Sequence, residues 1–419
     1  MDAPLAGRRL VIVVLADLGR SPRMVLHAVT AASLGAEVDL VGLCGMELPP
    51  ELEEAGVRVF RLNVVGSGLP ASGGGWRALG RSALRIGRLA ARSAAALRRL
   101  SRPDAILCAS PPALPALWVA MGAARYHRAR LVIDWHNLSG SLLALKLGAR
   151  HPLVSALGWL ERWLGRKADG HLCVSEAMAK NLRDRFGTVE PVVVYDRAAE
   201  RFGRAGSTVA AGRRREENDD FTVRLVAPTG WTLDEEPTPL IDAVLRYDRA
   251  AAEAPTLRRL DVRITGEGPL RSAWEAKLRE LRLRRVEVTT TWLSPDAYAE
   301  LLASADLGVS LHRSSSGIDL AMKVADMLGS GIPVCAFDYG PCLREQIRPG
   351  EDGEFYRDGA ELGSLLQRLL KGYPDPSSDL ARLRQRAAGV VRPTWRQEWY
   401  PRVAVALGLA SQRPQGPDG

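Results

Sequence analysis

The chain predicts an α/β protein built from two doubly wound, Rossmann-like domains in series. Three observations carry this. Short apolar, β-branched runs alternate with helical segments along most of the chain. The alternation stops over residues 201–220, which have no apolar period, and then starts again. At 419 residues the chain is also long for one core. Strand–helix alternation of this kind implies parallel sheets covered by helices. A stretch of small and charged residues between two such series is a domain boundary.

The first series opens with the strand 10–16, bounded by the loop DLGRSPR at 17–23. A helix over 24–34 follows and stops at Gly35. Strands are expected at 38–43, 57–62, 105–109, 130–134, 170–174 and 191–194, each a run of Val, Ile or Leu between turn residues. The second series gives strands at 222–227, 261–265, 285–290, 306–310, 333–337 and 353–355. Its helices are expected at 240–251, 270–281 and 296–303. The domains are therefore 1–200 and 221–395, joined by a linker at 201–220. A C-terminal helix and disordered tail occupy 396–419.

Composition narrows the function. A hydrophobic content of 46% supports real cores and excludes a mainly disordered protein. A net charge of +9 and a pI near 9.6 point to a polyanionic partner: nucleic acid, anionic lipid or a phosphorylated substrate. Nucleic acid is disfavoured, because the arginines are not interleaved with aromatics and no recognition motif is present. The five cysteines are scattered without a CxxC pair, which fits reduced thiols and a cytoplasmic setting. No run of about 18 apolar residues exists, so no spanning helix is expected. The first apolar run is too short for a signal-peptide core. DxD, HExxH, GxSxG and the Walker motif are absent, and the six histidines lack ligand-like spacing. No metal and no obligatory cofactor are expected.

The most informative stretch is 311–334, LHRSSSGIDLAMKVADMLGSGIPV. The loop Ser314, Ser315, Ser316, Gly317 offers hydroxyls and unhindered amides ahead of a helix N-terminus, a setting that favours a diphosphate. Asp319 and Asp326 are seven residues apart, so the spacing places them on one helical face with Lys323 between. Carboxylates suit sugar hydroxyls and a lysine suits phosphate, so the segment reads as a nucleotide-sugar site. Gly266 and Gly268 follow the strand VRIT, either as a ligand-facing turn or as a plain strand-to-helix turn. Thr229 and its neighbours Gly230, Trp231 and Thr232 close the first strand of the second domain, positioned for base or phosphates or for helix capping.

Two constellations mark the first domain. Gly19, Arg20, Ser21 and Arg23, with Pro22 starting a helix, follow the first strand; two arginines there suit a phosphate or a lipid diphosphate. Asp134 and His136 end the strand LVIDWHN, where a carboxylate and an imidazole are placed for acid–base work. Separately, residues 76–100 form a basic amphipathic helix. Trp76, Leu79, Ala83, Ile86, Ala90, Ala94 and Leu97 make one stripe, and Arg81, Arg85, Arg88 and Arg92 another. Such a helix either lies on an anionic membrane surface or packs as an outer helix of the domain.

Two doubly wound domains facing a central cleft describe the GT-B architecture of glycosyltransferases. The segments GRSPRM, IDWHN, HPLV, LCVSEAM, VVYDR and above all SSSGIDLAMKVADMLGSGIPV resemble the eukaryotic chitobiosyldiphosphodolichol beta-mannosyltransferases, over about residues 10–370. The resemblance implies an inverting enzyme that moves mannose from GDP-mannose, in β1,4 linkage, to a chitobiose on dolichyl diphosphate. It implies a peripheral location on the cytosolic face of a membrane, the endoplasmic reticulum in a eukaryote. By position, Asp319 would contact the sugar and Asp326 the ribose. Lys323 and the SSSG amides would hold the diphosphate, Asp134 or His136 would act as base, and Arg20 and Arg23 would face the acceptor diphosphate. The N-terminal anchor of the family is missing from this sequence, which fits a prokaryotic relative using another polyprenyl-linked acceptor. The alternatives are a GT-B transferase for another nucleotide sugar or acceptor, and a non-catalytic subunit.

Overall fold

The computed structural model describes residues 3–45, 47–62, 76–187, 190–203 and 221–411, with side chains from residue 84 onward in the helix Trp76–Arg99. Most of the expected linker and the tail beyond 411 lie outside the described residues. The chain divides into two compact units, Met1–Tyr195 with Arg396–Gly419, and Asp196–Trp395. Residues 196–200 thus belong to the second unit. The C-terminal segment, expected to stand apart, belongs to the first. Its attachment has a clear cause: Trp399 is fully buried and its Nε1 donates to His27 Nδ1 at 2.9 Å, while Arg402 donates to the Val193 carbonyl at 2.9 Å.

The first unit carries a seven-stranded sheet. Its strands are β1 (Arg9–Asp17), β2 (Glu37–Leu43), β3 (Arg58–Arg61), β4 (Ala105–Ser110), β5 (Arg130–Trp135), β6 (Gly170–Cys173) and β7 (Val192–Val193), ordered β3-β2-β1-β4-β5-β6-β7. The second unit carries six, β8 (Thr222–Pro228), β9 (Arg259–Thr265), β10 (Val286–Thr291), β11 (Leu307–Ser310), β12 (Val334–Phe337) and β13 (Gly353–Tyr356), ordered β10-β9-β8-β11-β12-β13. Pairing within both sheets is parallel. The sequence expectation of two parallel, helix-covered sheets is met.

Side-chain alternation shows how each sheet is clothed. In the second unit Val223, Leu225 and Ala227 of β8 enter one apolar core, with Tyr247 and Leu366. Their neighbour Val226 enters another, with Val324 and Met327. Successive side chains point to opposite faces, so the strand is buried on both sides and reads as continuous hydrophobic sequence. The second core seats the helix Met322–Gly329 against β11. Gly308 makes the close approach workable, since a Cβ there would lie 2.4 Å from Met327 Sδ. Truncating Met327 would cost about 2–5 kcal/mol and would loosen the helix that carries Lys323 and Asp326.

In each sheet the strand order reverses, between β1 and β4 and between β8 and β11. Ligands of such sheets bind beyond the carboxyl ends of strands at these points. The chain leaves β1 into Leu18–Arg20, leaves β8 into Thr229 and leaves β11 into Leu311 and His312.

Candidate active site

In the second unit four charged side chains meet beyond β8 and β11. The Glu235 carboxylate accepts hydrogen bonds from Lys323 Nζ and from the Gly230 amide, and lies 3.8 Å from His312 Nδ1. His312 Nε2 reaches Asp319 Oδ2 at 3.1 Å. Ser314 and Ser316 donate to the other Asp319 oxygen, Ser316 at 3.0 Å. Burial pushes His312 down, but Asp319 and Glu235 override it and hold the imidazole up at about 9. Burial pushes Glu235 up, yet Lys323 and His312 hold it at about 2. Burial likewise opposes ionisation of Asp319, and the bonds from His312, Ser314 and Ser316 keep its pKa below the usual carboxylate value. At neutral pH this is a cluster of two anions and two cations.

Asp326 is different. Burial and the nearby Asp196 raise it to about 7, against the opposing pull of Lys323 and Arg201.

Three expectations about this segment are corrected. The helix runs Met322–Gly329, so Asp319 precedes it and does not share a helical face with Asp326. Gly317 is five residues from the first helical residue, so the SSSG turn does not sit at the helix N-terminus. The Ser314 and Ser316 hydroxyls are spent on Asp319, and the Gly317 amide donates to Ser314 Oγ at 2.7 Å. Ser315 lies in the same turn. The hydroxyls of Ser314 and Ser316 and the Gly317 amide thus serve to fix the Asp319 carboxylate.

The glycine turn and the Thr229 loop are locked together. A Cβ at Gly266 would lie 1.8 Å from the Thr229 carbonyl oxygen, and one at Gly268 would lie 1.8 Å from that of Gly230. Gly266 also has a φ of +139°, which side chains rarely adopt. The Thr229 amide donates to Thr265 O at 2.8 Å, and its hydroxyl donates to Glu235 O at 3.1 Å. Buried Trp231, at a φ of +50°, donates from Nε1 to Gly266 O at 3.1 Å. These contacts give both glycines a packing reason and fix the Gly230 amide that meets Glu235.

In the first unit Asp134 is fully buried at the end of β5. Arg23 grips it bidentately, Nε to Oδ2 at 2.8 Å and Nη2 to Oδ1 at 3.0 Å, and donates from Nη1 to the Val194 carbonyl at 2.9 Å. His27 Nε2 and His136 Nε2 lie 3.0 and 3.2 Å from Asp134 Oδ2. Trp399 can only donate, so His27 Nδ1 is unprotonated and His27 is a neutral donor to Asp134. Burial lowers its pKa, outweighing the pull of Asp134. Burial disfavours the Asp134 charge, but Arg23, His136 and His27 hold its pKa well below the usual value. A carboxylate this firmly ionised is a poor proton acceptor. His136 is the partly exposed member, and when Nε2–H donates to Asp134 its Nδ1 carries the free lone pair.

The phosphate loop is also reinterpreted. Arg23 is 2% exposed and turned onto Asp134, so of the two arginines only Arg20 is on the surface. The Gly19 amide donates to Asp17 Oδ1 at 3.0 Å, and the Ser21 hydroxyl donates to Asp17 O at 2.8 Å. On the basic helix, Leu84 and Ile86 are exposed beside Arg85, Arg88 and Arg92, while Leu97 packs inward. The side chains of Trp76, Leu79, Arg81 and Ala83 lie outside the described residues.

Sequence reading missed Glu235, His312, His27 and Trp399. Glu235 looked like one of three solvated acids in a first helical turn, and the histidines had no recognisable spacing. Only the fold brings them to the singled-out residues.

Two Rossmann-like units, each with charged residues clustered near the carboxyl ends of its strands, match the GT-B class of glycosyltransferases. Family models agree: a glycosyl transferase 4-like domain matches residues 21–197, and a glycosyl transferase-like domain matches 248–397. Solved structures similar in fold include Anabaena HepE in complex with UDP (TM-score 0.59, 15% identity, 91% of this chain and 95% of that one). Sucrose-phosphate synthase from Thermosynechococcus elongatus is another (TM-score 0.64, 15% identity, 96% and 97%). The human chitobiosyldiphosphodolichol beta-mannosyltransferase is 34% identical over 95% of this chain and 92% of its own. That of Yarrowia lipolytica is 33% identical over 98% and 89%. A relative from Arabidopsis thaliana, UDP-glycosyltransferase TURAN, is 32% identical over 93% and 95%. The chain belongs to the chitobiosyldiphosphodolichol beta-mannosyltransferase family.

Proposed function

We propose that the protein transfers mannose from GDP-mannose, with inversion and in β1,4 linkage, to a chitobiose-like saccharide on a polyprenyl or dolichyl diphosphate at a membrane surface. One observation carries the donor site: Lys323, the Gly230 amide and His312 already surround an anion, the Glu235 carboxylate. A nucleotide diphosphate presents charge of the same sign, and more of it, to the same cations. In the second unit, Lys323 stabilises the charge that develops on the departing diphosphate. Asp319, ionised and fixed by three donors, accepts hydrogen bonds from sugar hydroxyls, and Asp326 addresses the ribose. In the first unit, His136 takes the proton of the attacking hydroxyl, and Asp134 holds the imidazole in the required tautomer. Arg20 meets the acceptor's phosphates.

The test is transfer of radiolabelled mannose from GDP-mannose to a polyprenyl-diphosphate chitobiose, with the product's anomeric configuration read by NMR. His136→Ala should lower kcat by about 10²–10⁴-fold and keep the fold by circular dichroism, with a Tm lowered only by the loss of its bond to Asp134. Lys323→Met should raise the donor KM. The Arabidopsis relative's name favours a second reading, a UDP-sugar donor. Turnover with UDP-glucose and none with GDP-mannose would establish it in place of the first.

A further inference from the structure

The segment from Ser139 to Lys167 takes no part in either cluster. It forms two helices, Ser139–Leu147 and Pro152–Gly165, that pack on one another. They cross through small residues: a Cβ on Gly140 would be 3.8 Å from the Gly158 Cα. Glycine-mediated contact leaves the large apolar side chains unused. Trp159 is 61% and Leu153 50% exposed, and Leu145, Leu147 and Trp163 are also on the surface. The hairpin is held at one end. Leu164 and Glu161 are buried, and Gly165 lies against the Phe186 ring, where a Cβ would be 2.5 Å away.

Charge distinguishes this face from an ordinary apolar patch. The only acid between Ser139 and Lys167 is Glu161. It is fully buried, accepts from the Ser139 amide at 2.9 Å and lies 3.7 Å from Arg185. Lys146, Arg150, Arg162, Arg166 and Lys167 are all exposed. Lys167 lies over the Trp163 ring, 5.0 Å from its centroid. Exposed indoles and leucines interspersed with exposed long basic side chains along one hairpin match the boundary of an anionic bilayer. The rings sit at headgroup depth, and Lys and Arg reach outward to phosphates. Among the described residues no helix is long and apolar enough to cross a membrane, so the hairpin lies on the surface and does not span. Two copies meeting through this face would oppose five bases with five bases.

We propose that the hairpin Ser139–Gly165 docks the protein on anionic lipid by shallow insertion of Trp159, Trp163 and the exposed leucines. This rests on the lipid-linked acceptor reading above and gives it a second surface, separate from the basic helix Trp76–Arg99. Its test needs no turnover, so the two readings fail separately. Full-length protein is floated with phosphatidylcholine vesicles with and without 30% phosphatidylglycerol. Insertion is read by quenching of tryptophan emission with brominated lipid. Wild type should bind the anionic vesicles, show quenching and weaken with salt. Trp159→Ser/Trp163→Ser should bind at least 10-fold more weakly with unchanged Tm and circular dichroism, whereas Trp292→Ser, an exposed indole of the second unit, should bind like wild type. Equal binding of the double variant and wild type, or no binding by wild type, overturns the proposal. So does a wild-type dimer in light scattering that the double variant dissolves, since the face would then join copies.

Discussion

Arg23→Met separates two roles for one residue. If Arg23 met an acceptor phosphate, its loss would raise KM and leave the fold untouched. Its bidentate grip on buried Asp134 says otherwise. Removing one partner of a buried ion pair strands the other charge and costs about 3–5 kcal/mol. Here His27 and His136 still bond Asp134, which places the cost toward the lower figure. For a unit of this size each kcal/mol moves Tm by about 2–4 °C, so a drop of roughly 6–12 °C in the first unit's transition is expected by calorimetry. Adding Asp134→Asn to Arg23→Met removes the stranded charge, and the double variant should regain about 1–3 kcal/mol relative to additivity. An unchanged Tm with a raised acceptor KM would refute the structural role of Arg23.

Other consequences follow from the same geometry. Asp326, raised to about 7, binds its proton more tightly folded than unfolded. Stability is therefore lost as pH rises from about 4 to 7, and Asp326→Asn should gain relative to wild type over that range, by at most about 4 kcal/mol above it, in urea titrations at stepped pH. His312, held at about 9, contributes stability that is full below its unfolded value of 6.5 and fades as pH rises through 9. His312→Gln should accordingly cost up to about 3 kcal/mol at pH 6 and little at pH 10. Gly266→Ala meets the Thr229 carbonyl at 1.8 Å and should fail to give soluble second unit, whereas Gly317→Ala, with open space around it, should cost only about 1 kcal/mol for its positive φ. Glu235→Gln removes the anion that occupies Lys323, so GDP should bind more tightly by calorimetry. A loss as large as that of Lys323→Met would make Glu235 a positioning residue for the lysine.

The architecture was legible because its signal is local. Leu10–Val14 are apolar in succession because β1 is covered on both faces, and the same is true of β8. Pro22 and Gly35 punctuate the first helix as their backbone chemistry requires. The places where ligands meet such sheets were legible too, since Asp134 is the penultimate residue of β5 and Thr229 follows β8 directly. What the pattern could not carry was the direction in which a side chain turns. Arg20 and Arg23 are three residues apart, yet Arg20 ends a short turn and is exposed while Arg23, in the first turn of the helix Pro22–Ser33, closes a buried ion pair. Seven-residue spacing put Asp319 and Asp326 on one face only on the assumption that the helix had already begun, and it begins at Met322.

The two clusters share a logic that explains why those misreadings arose at the candidate site. Each buries a carboxylate that has to stay ionised, and burial alone would neutralise it. Arg23 and two histidines solve this for Asp134; His312 and two serines solve it for Asp319. The groups that looked like ligands for a substrate anion are thus partly engaged in holding the protein's own anions. A side chain that is polar, near a strand end and apparently free in the sequence is therefore ambiguous between gripping a substrate and gripping a neighbour. The ambiguity is resolved by exposure: His136 and Lys323 each touch a buried carboxylate while remaining partly open to solvent. Lys323 can exchange its internal partner for an external anion, and His136 can keep Asp134 on Nε2 while Nδ1 faces outward, which are the two capacities the proposed transfer requires.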